Sequence, residues 1–210
     1  MDTLTREEVE KMIREGKSLR DIDLTFAELD GIDLSGVDLS GASLTGAEIR
    51  NANFEGANLE GAFIADADLS GCNFKNANLT RAVLQRVQLR NANFENANMF
   101  KVQLMVCDAS GANFTGADMR QSRLEKTKFR KATMDKAVIT HSNLRATDFQ
   151  EASFIGTKIS YSDLRKAQLQ RAWFENLEAE EVLIYGKAPW VEGTKAKLDI
   201  EQIKAPSWDD

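Results

Sequence analysis

The chain has 210 residues and a formal net charge of −6. This length suits one or two domains, and the acidic balance favours solubility without indicating a fold. No apolar run reaches the roughly 20 residues that a membrane helix needs, and the first residues carry no apolar signal core. We therefore expect a cytoplasmic protein that does not associate with membranes.

The first 18 residues are predicted to form a capping helix. Thr5 and Glu8 have the spacing of a capping box, and Leu4 and Val9 have that of a hydrophobic staple. Such a helix can cover the apolar end of the repeat that follows it. The alternative is an amphipathic membrane anchor, which the short length and the acidic polar side of the segment disfavour.

A five-residue repeat occupies residues 19–176. From Leu19 to Phe174, every fifth residue is Leu, Ile, Met or Phe, except Ala109, which makes 32 positions without an insertion. Two residues before each large residue, from position 22 onward, 18 of 31 places carry Ala. Residues two apart in an extended strand point to the same side. The large and small positions therefore face one narrow interior.

The other two residues of each unit must turn the chain. Ten of the thirteen glycines occupy the second of these corner positions. A type II turn needs a positive φ there, which Gly and Asn accept most easily, so we expect type II turns up to about Gly71. Long side chains with a Cβ resist positive φ, and we expect negative φ at five such corners. These are Lys126, Lys131, Lys136, Lys166 and Arg171.

Phenylalanine recurs in the large position at multiples of twenty residues. Twenty residues make four units, so one coil should have four sides and these rings should stack on one of them. Phe94 should then lie between Phe74 and Phe114, in van der Waals contact with both. The 32 units correspond to about eight coils and a rod of roughly 38 Å.

The unit also carries a recognisable consensus. Residues Ala57 to Gly61 and Ala67 to Gly71 both read Ala, then Asp or Asn, Leu, any residue and Gly. This consensus resembles the pentapeptide-repeat family, which implies an all-β solenoid that is a right-handed quadrilateral β-helix. The best-understood members bind type II topoisomerases such as DNA gyrase, mimic duplex DNA, and protect against quinolones or peptide toxins. Several relatives carry loops that bulge from the coil, whereas this repeat has none.

The repeat decays in the C-terminal segment 177–210. Val182 and Ile184 keep its phase, which suggests a degenerate further coil, and Pro189 should stop the pairing. The tail is too apolar for a solvated linker, so we predict a cap folded over the last coil; a C-terminal dimer interface is the alternative that the resemblance implies. The apolar residues are Trp190, Val191, Leu198, Ile200, Ile203 and Trp208.

No catalytic arrangement is apparent. Cys72 and Cys107 occupy small inward positions on different sides, about 10 Å apart along the axis, which predicts buried free thiols. His141 is an outward corner residue without a nucleophile or carboxylate arrangement around it. Metal-binding spacings and phosphate-binding glycine loops are also missing from the sequence. We expect no enzyme activity, no cofactor, no metal and no small-molecule substrate.

Charge is distributed unevenly along the chain. The net charge is −9 over residues 1–80, +7 over residues 81–175 and −4 over residues 176–210. A DNA mimic should be acidic along much of its length, so the net positive charge of residues 81–175 argues against DNA mimicry. Their basic zone suggests weak nucleic-acid binding, although mixed surface charge explains it as well. The zone comprises Arg120, Arg123, Lys126, Lys128, Arg130, Lys131 and Lys136.

Five apolar residues fall at outward positions where polar groups are usual. Phe63 and Val83 are twenty residues apart, Met105 and Val106 fill a corner on the same side, and Phe100 lies one corner earlier. We call these five the apolar patch. A contiguous exposed patch tends to mark an interaction surface. Alternatively, Phe63 and Val83 only cover each other as cross-strand neighbours.

The first hypothesis for function is a rigid, non-enzymatic protein-interaction module with an unknown partner. The second is a DNA-mimicking regulator of DNA gyrase that gives resistance to topoisomerase poisons. Either protein would be a monomer or a C-terminally mediated dimer.

Overall fold

The computed structural model describes residues 3–185. The expectations for Pro189 and for the apolar tail therefore lie outside the described residues. Within residues 3–185 there are one helix and five three-residue strands, besides many shorter pairings. They are α1 (Arg6–Arg14), β1 (Phe63–Ala65), β2 (Val83–Gln85), β3 (Gln103–Met105), β4 (Ser153–Ile155) and β5 (Trp173–Glu175).

The predicted capping box at the start of α1 is confirmed. The Glu8 amide donates to the Thr5 hydroxyl at 3.3 Å, and the Thr5 amide donates to the Glu8 carboxylate at 2.8 Å. These bonds from Thr5 lower the pKa of Glu8. Val9 is fully buried in the core, and the Arg6 guanidinium donates to the carbonyl of Asp30 at 2.8 Å. The helix is therefore tied to the first turns of the repeat.

The repeat folds as a solenoid with four sides per coil. Parallel pairing joins each outward residue to the one twenty positions later, as in Asp23 with Ser43 and Glu28 with Glu48. Four such pairings occur in each twenty residues, separated by four corners. The strands β1, β2 and β3 lie side by side in one parallel sheet, and β4 and β5 form another. Pairing continues to Leu183, where the fully buried Val182 keeps the inward phase.

The predicted phenylalanine stack is confirmed. Phe94 is fully buried, and its ring centroid lies 4.8 Å from those of both Phe74 and Phe114, with nearly parallel planes. A second stack, Phe129 on Phe149, occupies a neighbouring side at 5.0 Å. Phe129 meets Phe114 edge-on at 5.5 Å, so the two stacks interlock inside the coil.

The expected negative φ at the Lys and Arg corners is wrong. All five corners have φ between 57° and 65°, in the same region as the glycine corners, for which positive φ is confirmed. The corner amide explains the difference, because it donates to a carbonyl of the next coil: Lys126 to Arg145 at 3.0 Å, as Gly56 does to Lys75 at 2.9 Å. The free energy gained by keeping this bond in register exceeds the local cost of positive φ, which is about 1–2 kcal/mol per residue.

Some corners need glycine for space as well as for φ. A Cβ on Gly46 would lie 2.4 Å from the ring of Phe26, which rests over that corner. The corner residues of successive coils therefore stack on one another, and at this corner the large Phe26 is matched by glycine in the next coil.

Candidate interaction surface

The apolar patch lies on the side of the rod formed by β1, β2 and β3 and by the strands stacked after them, here called the β1–β3 face. Phe63 pairs with Val83, and Gln85 pairs with Met105. Phe63 is 45% exposed and Val106 is 53% exposed, whereas Val83 and Met105 are half-buried. The pairing of Phe63 with Val83 thus leaves nearly half of the Phe63 side chain in solvent.

Phe100 lies at the other edge of the β1–β3 face, separated from Met105 by Gln103. It is half-buried, and two cations approach its ring: Lys101 Nζ lies 5.5 Å and Arg120 Cζ 5.8 Å from the centroid. Cation–π contacts of this kind give Phe100 partners within the chain. The structure therefore places four of the patch residues on one face, with Gln103 next to Val83 and Gln85 next to Met105, and puts Phe100 on the margin.

An exposed aromatic residue that the sequence reasoning missed lies along the same corner column as Val106. Phe26 is 68% exposed, and its ring rests over Gly46. Its signal was available in the sequence, since Phe26 occupies a corner position usually held by Gly or Asn. In the same column, Arg86 donates to Asp66 at 2.6 Å, and these hydrogen bonds hold the pKa of Asp66 below its usual value. An ionised pair thus lies between Phe26 and Val106.

A groove with a volume of about 410 Å³ overlaps the patch on the β1–β3 face. Met105, Val106 and Ala146 supply its apolar surface. We call it the basic groove, because four of its ten lining residues are cationic and one is anionic. Its lining residues are Gln85, Met105, Val106, Arg123, Glu125, Lys126, Asn143, Arg145, Ala146 and Lys166.

Buried hydroxyls fix the strands that carry the groove's polar residues. Ser122 and Ser142 replace the usual inward Ala just before Arg123 and Asn143. Ser142 Oγ donates to the carbonyl of Met119 at 2.9 Å and accepts from the Ser122 amide at 3.0 Å. Because every group in this ladder has a partner, the strands beneath the groove are held rigidly.

Two arginines of the groove already have anionic neighbours. Glu125 Oε1 accepts from Asn143 Nδ2 at 2.7 Å and from Arg123 Nε at 3.4 Å. Arg145 lies 3.8 Å from the buried carboxylate of Asp163. In contrast, neither lysine of the groove forms an ion pair with any residue that the structure describes. These are Lys126 and Lys166.

The basic zone predicted from the sequence does not form one face. Its seven residues run once around a single coil and so point to all four sides of the rod. Arg120 pairs with Asp118 at 2.6 Å, and Lys131 lies 3.9 Å from Glu151. Only two of the seven, Arg123 and Lys126, reach the basic groove. This arrangement does not favour a continuous nucleic-acid-binding surface.

The comparisons with known proteins agree with the four-sided solenoid described above. The family model for pentapeptide repeats matches residues 18–56, 64–99, 107–145 and 137–176. This chain belongs to the pentapeptide-repeat family. No curated protein sequence is significantly similar to it.

Several solved structures resemble this pentapeptide-repeat protein. QnrB1, a plasmid-mediated fluoroquinolone resistance protein in a trypsin-treated form, is 18% identical over 77% of this chain and 84% of that chain, with a TM-score of 0.56. HetL, a pentapeptide repeat protein involved in heterocyst differentiation regulation from the cyanobacterium Nostoc sp. strain PCC 7120, is 21% identical over 85% and 95%, with a TM-score of 0.41. A thylakoid-lumen pentapeptide repeat protein from Arabidopsis thaliana is 36% identical over 49% and 65%, with a TM-score of 0.31. Membership of the family, together with the likeness to QnrB1, gives the fold as a right-handed β-helix.

The single histidine of this pentapeptide-repeat protein packs against another ring. His141 stacks on Tyr161 with ring centroids 4.9 Å apart, at a corner of the coil. Within residues 3–185, no group of three or more His, Cys, Asp or Glu side chains could hold a metal ion. No helix in that part of the chain has both the length and the apolar character needed to cross a bilayer.

Proposed function

We propose that this pentapeptide-repeat protein is a rigid, non-enzymatic interaction module that binds a partner protein through the apolar patch. The observation that carries the proposal is the exposure of Phe63 and Val106 on one face of a regular polar ladder. Large apolar groups in solvent gain free energy when a partner covers them. Localisation in the cytoplasm remains an expectation from the sequence.

The scaffold suits this role because it holds the patch in one geometry. Main-chain bonds between coils and the stacked phenylalanines leave the β1–β3 face little freedom to rearrange. We further propose that α1, within residues 1–18, caps a β-helix of about eight coils over residues 19–176. The tail 177–210 would then cap its other end or mediate a dimer, so the protein is a monomer or a C-terminally linked dimer.

The double variant Phe63→Asp with Met105→Asp is expected to abolish capture of the partner from a lysate of the source organism. Both carboxylates would have to lose their hydration at the interface, which is unfavourable without a matching donor. The melting temperature should change little, because both side chains are at least partly exposed. Affinity capture with quantitative mass spectrometry, together with a thermal melt by circular dichroism, measures both effects.

A matched control places the same two charges on other sides of the rod. Thr133→Asp with Val138→Asp alters two outward positions away from the β1–β3 face. Capture should survive in this control. Unchanged capture by the patch variant would remove the patch from consideration and direct attention to the acidic residues 1–80.

The second candidate function is DNA mimicry directed at DNA gyrase. The net charge of −9 over residues 1–80 supports it, whereas the net +7 over residues 81–175 and the regular coil without loops do not. The likeness to QnrB1 supplies only the scaffold. A gyrase supercoiling assay with a quinolone tests this hypothesis, and absence of protection at saturating protein would exclude it. Weak nucleic-acid binding by the basic zone is the third alternative.

A further inference from the structure

We infer that the basic groove binds a short acidic segment of a partner protein, in an extended conformation, with one apolar side chain seated on the groove floor. This inference rests on the proposed interaction function, because it gives the partner's chemistry at a site that shares Met105 and Val106 with the apolar patch. It depends on the charged residues of the basic groove, which are not part of the apolar patch. It can therefore fail while the interaction function stands.

Charge is the first support for an acidic ligand. Four cations line the groove, Arg123, Lys126, Arg145 and Lys166, against a single lining carboxylate, Glu125. The whole chain has the opposite sign, with a net charge of −6. A local surplus of cations on an acidic protein attracts an acidic partner and repels a second basic surface. Lys126 and Lys166 are exposed and have no anionic partner among residues 3–185.

The spacing of the lysines suits an extended segment. Lys126 and Lys166 occupy the same corner two coils apart, with Ala146 between them. Two coil spacings amount to about 9.5 Å. Carboxylates four residues apart in an extended chain lie on the same side, about 13 Å apart, and the long lysine side chains can spread to meet them. An apolar side chain between them would face Ala146 and the neighbouring Val106.

An unsatisfied acceptor in the groove favours a peptide. Glu125 Oε1 is bonded to Asn143 and Arg123, but Oε2 is buried and has no hydrogen-bond partner in the described part of the chain. A buried carboxylate oxygen is stabilised by a donor. An amide N–H of a bound peptide can supply this donor once the Glu125 side chain turns toward the groove, since Oε2 is shielded from solvent in the free protein. A phosphodiester backbone has no such donor.

The groove is also poorly suited to nucleic acid in other respects. The ten lining residues, all within the described part of the chain, include no aromatic side chain on which a base could stack. A mixture of apolar floor and lysine rim therefore fits an acidic, partly apolar peptide better than a polyanion.

Peptide selection tests the inference without knowledge of the natural partner. The full chain, immobilised, is used to select from a phage-displayed library of random short peptides. The groove variant is Lys126→Glu with Lys166→Glu, and the control is Lys128→Glu with Lys136→Glu, which makes the same charge change at exposed residues on other sides of the rod. Circular dichroism melts verify that both variants are folded.

The wild type and the control should enrich peptides in which acidic residues flank an apolar one, and the groove variant should not. For an enriched peptide labelled with fluorescein, the Kd should rise about tenfold or more in the groove variant and stay within about twofold in the control. Fluorescence polarisation at constant salt measures these values. Changing the central apolar residue of the peptide to serine should also weaken binding.

Three outcomes would overturn the inference: no enrichment of acidic–apolar peptides, equal binding by the groove variant and the control, or displacement of the peptide by equimolar duplex DNA. Partner capture separates this failure from failure of the proposed function. If the Phe63→Asp with Met105→Asp variant loses the partner while the groove variant keeps it, only the groove inference fails. If neither variant loses the partner, both fail.

Discussion

Replacing Phe94 with alanine is expected to lower the free energy of unfolding by about 3–5 kcal/mol. The Phe94 ring is fully buried and stacks on Phe74 and Phe114 with centroid distances of 4.8 Å on both sides. Its removal loses both contacts and leaves a cavity. The neighbouring rings cannot close that cavity, because main-chain bonds between coils fix their strands, as between the Phe94 amide and the Asn113 carbonyl at 2.6 Å.

Reversible denaturation in urea, followed by circular dichroism, measures this loss. Phe26→Ala is a matched control, since it removes the same side chain from a position that is 68% exposed. That control should change the free energy of unfolding by less than about 1 kcal/mol. An equally small change for Phe94→Ala would contradict the role assigned to the stack.

Both cysteines are expected to resist alkylation by iodoacetamide at pH 8 in the native protein and to react fully after unfolding. The Cys72 thiol donates to the carbonyl of Ile49 at 2.7 Å, and burial raises its pKa to about 12. Burial likewise raises the pKa of Cys107 to about 11. The thiolate is the reactive form, so its native population at pH 8 is roughly a hundred-fold or more below that of an exposed cysteine.

Mass spectrometry of timed samples, with and without denaturant, counts the adducts. Cys72→Ala is the control, because Ala is the usual residue at that inward position, and it should give one adduct after unfolding. Rapid labelling of the native protein would show that the thiols are accessible. The raised pKa values also predict that stability is complete below about pH 8.5, the unfolded value, and declines as pH rises through the folded values.

The sequence by itself was sufficient to predict the architecture of this protein. Alternation along an extended strand decides which residues point inward, and a uniform period of five without insertions carries that assignment through every coil. The twenty-residue recurrence of phenylalanine therefore predicted the stack around Phe94 correctly. The capping box at Thr5 was predictable for a similar reason, since it depends on residues only three positions apart.

The corner conformations and the basic groove were decided by the tertiary structure. At Lys126, Lys131 and Lys136, local preference favours negative φ, but amide bonds to the next coil hold φ positive, and Lys166 and Arg171 adopt the same conformation. The groove joins residues from Gln85 to Lys166, and the residues of the basic zone separate around the coil. Stacking places residues twenty apart in contact and turns successive sides of one coil away from each other. Neighbouring residues on one face therefore come from successive coils, twenty positions apart, whereas residues adjacent in the sequence lie along a single coil.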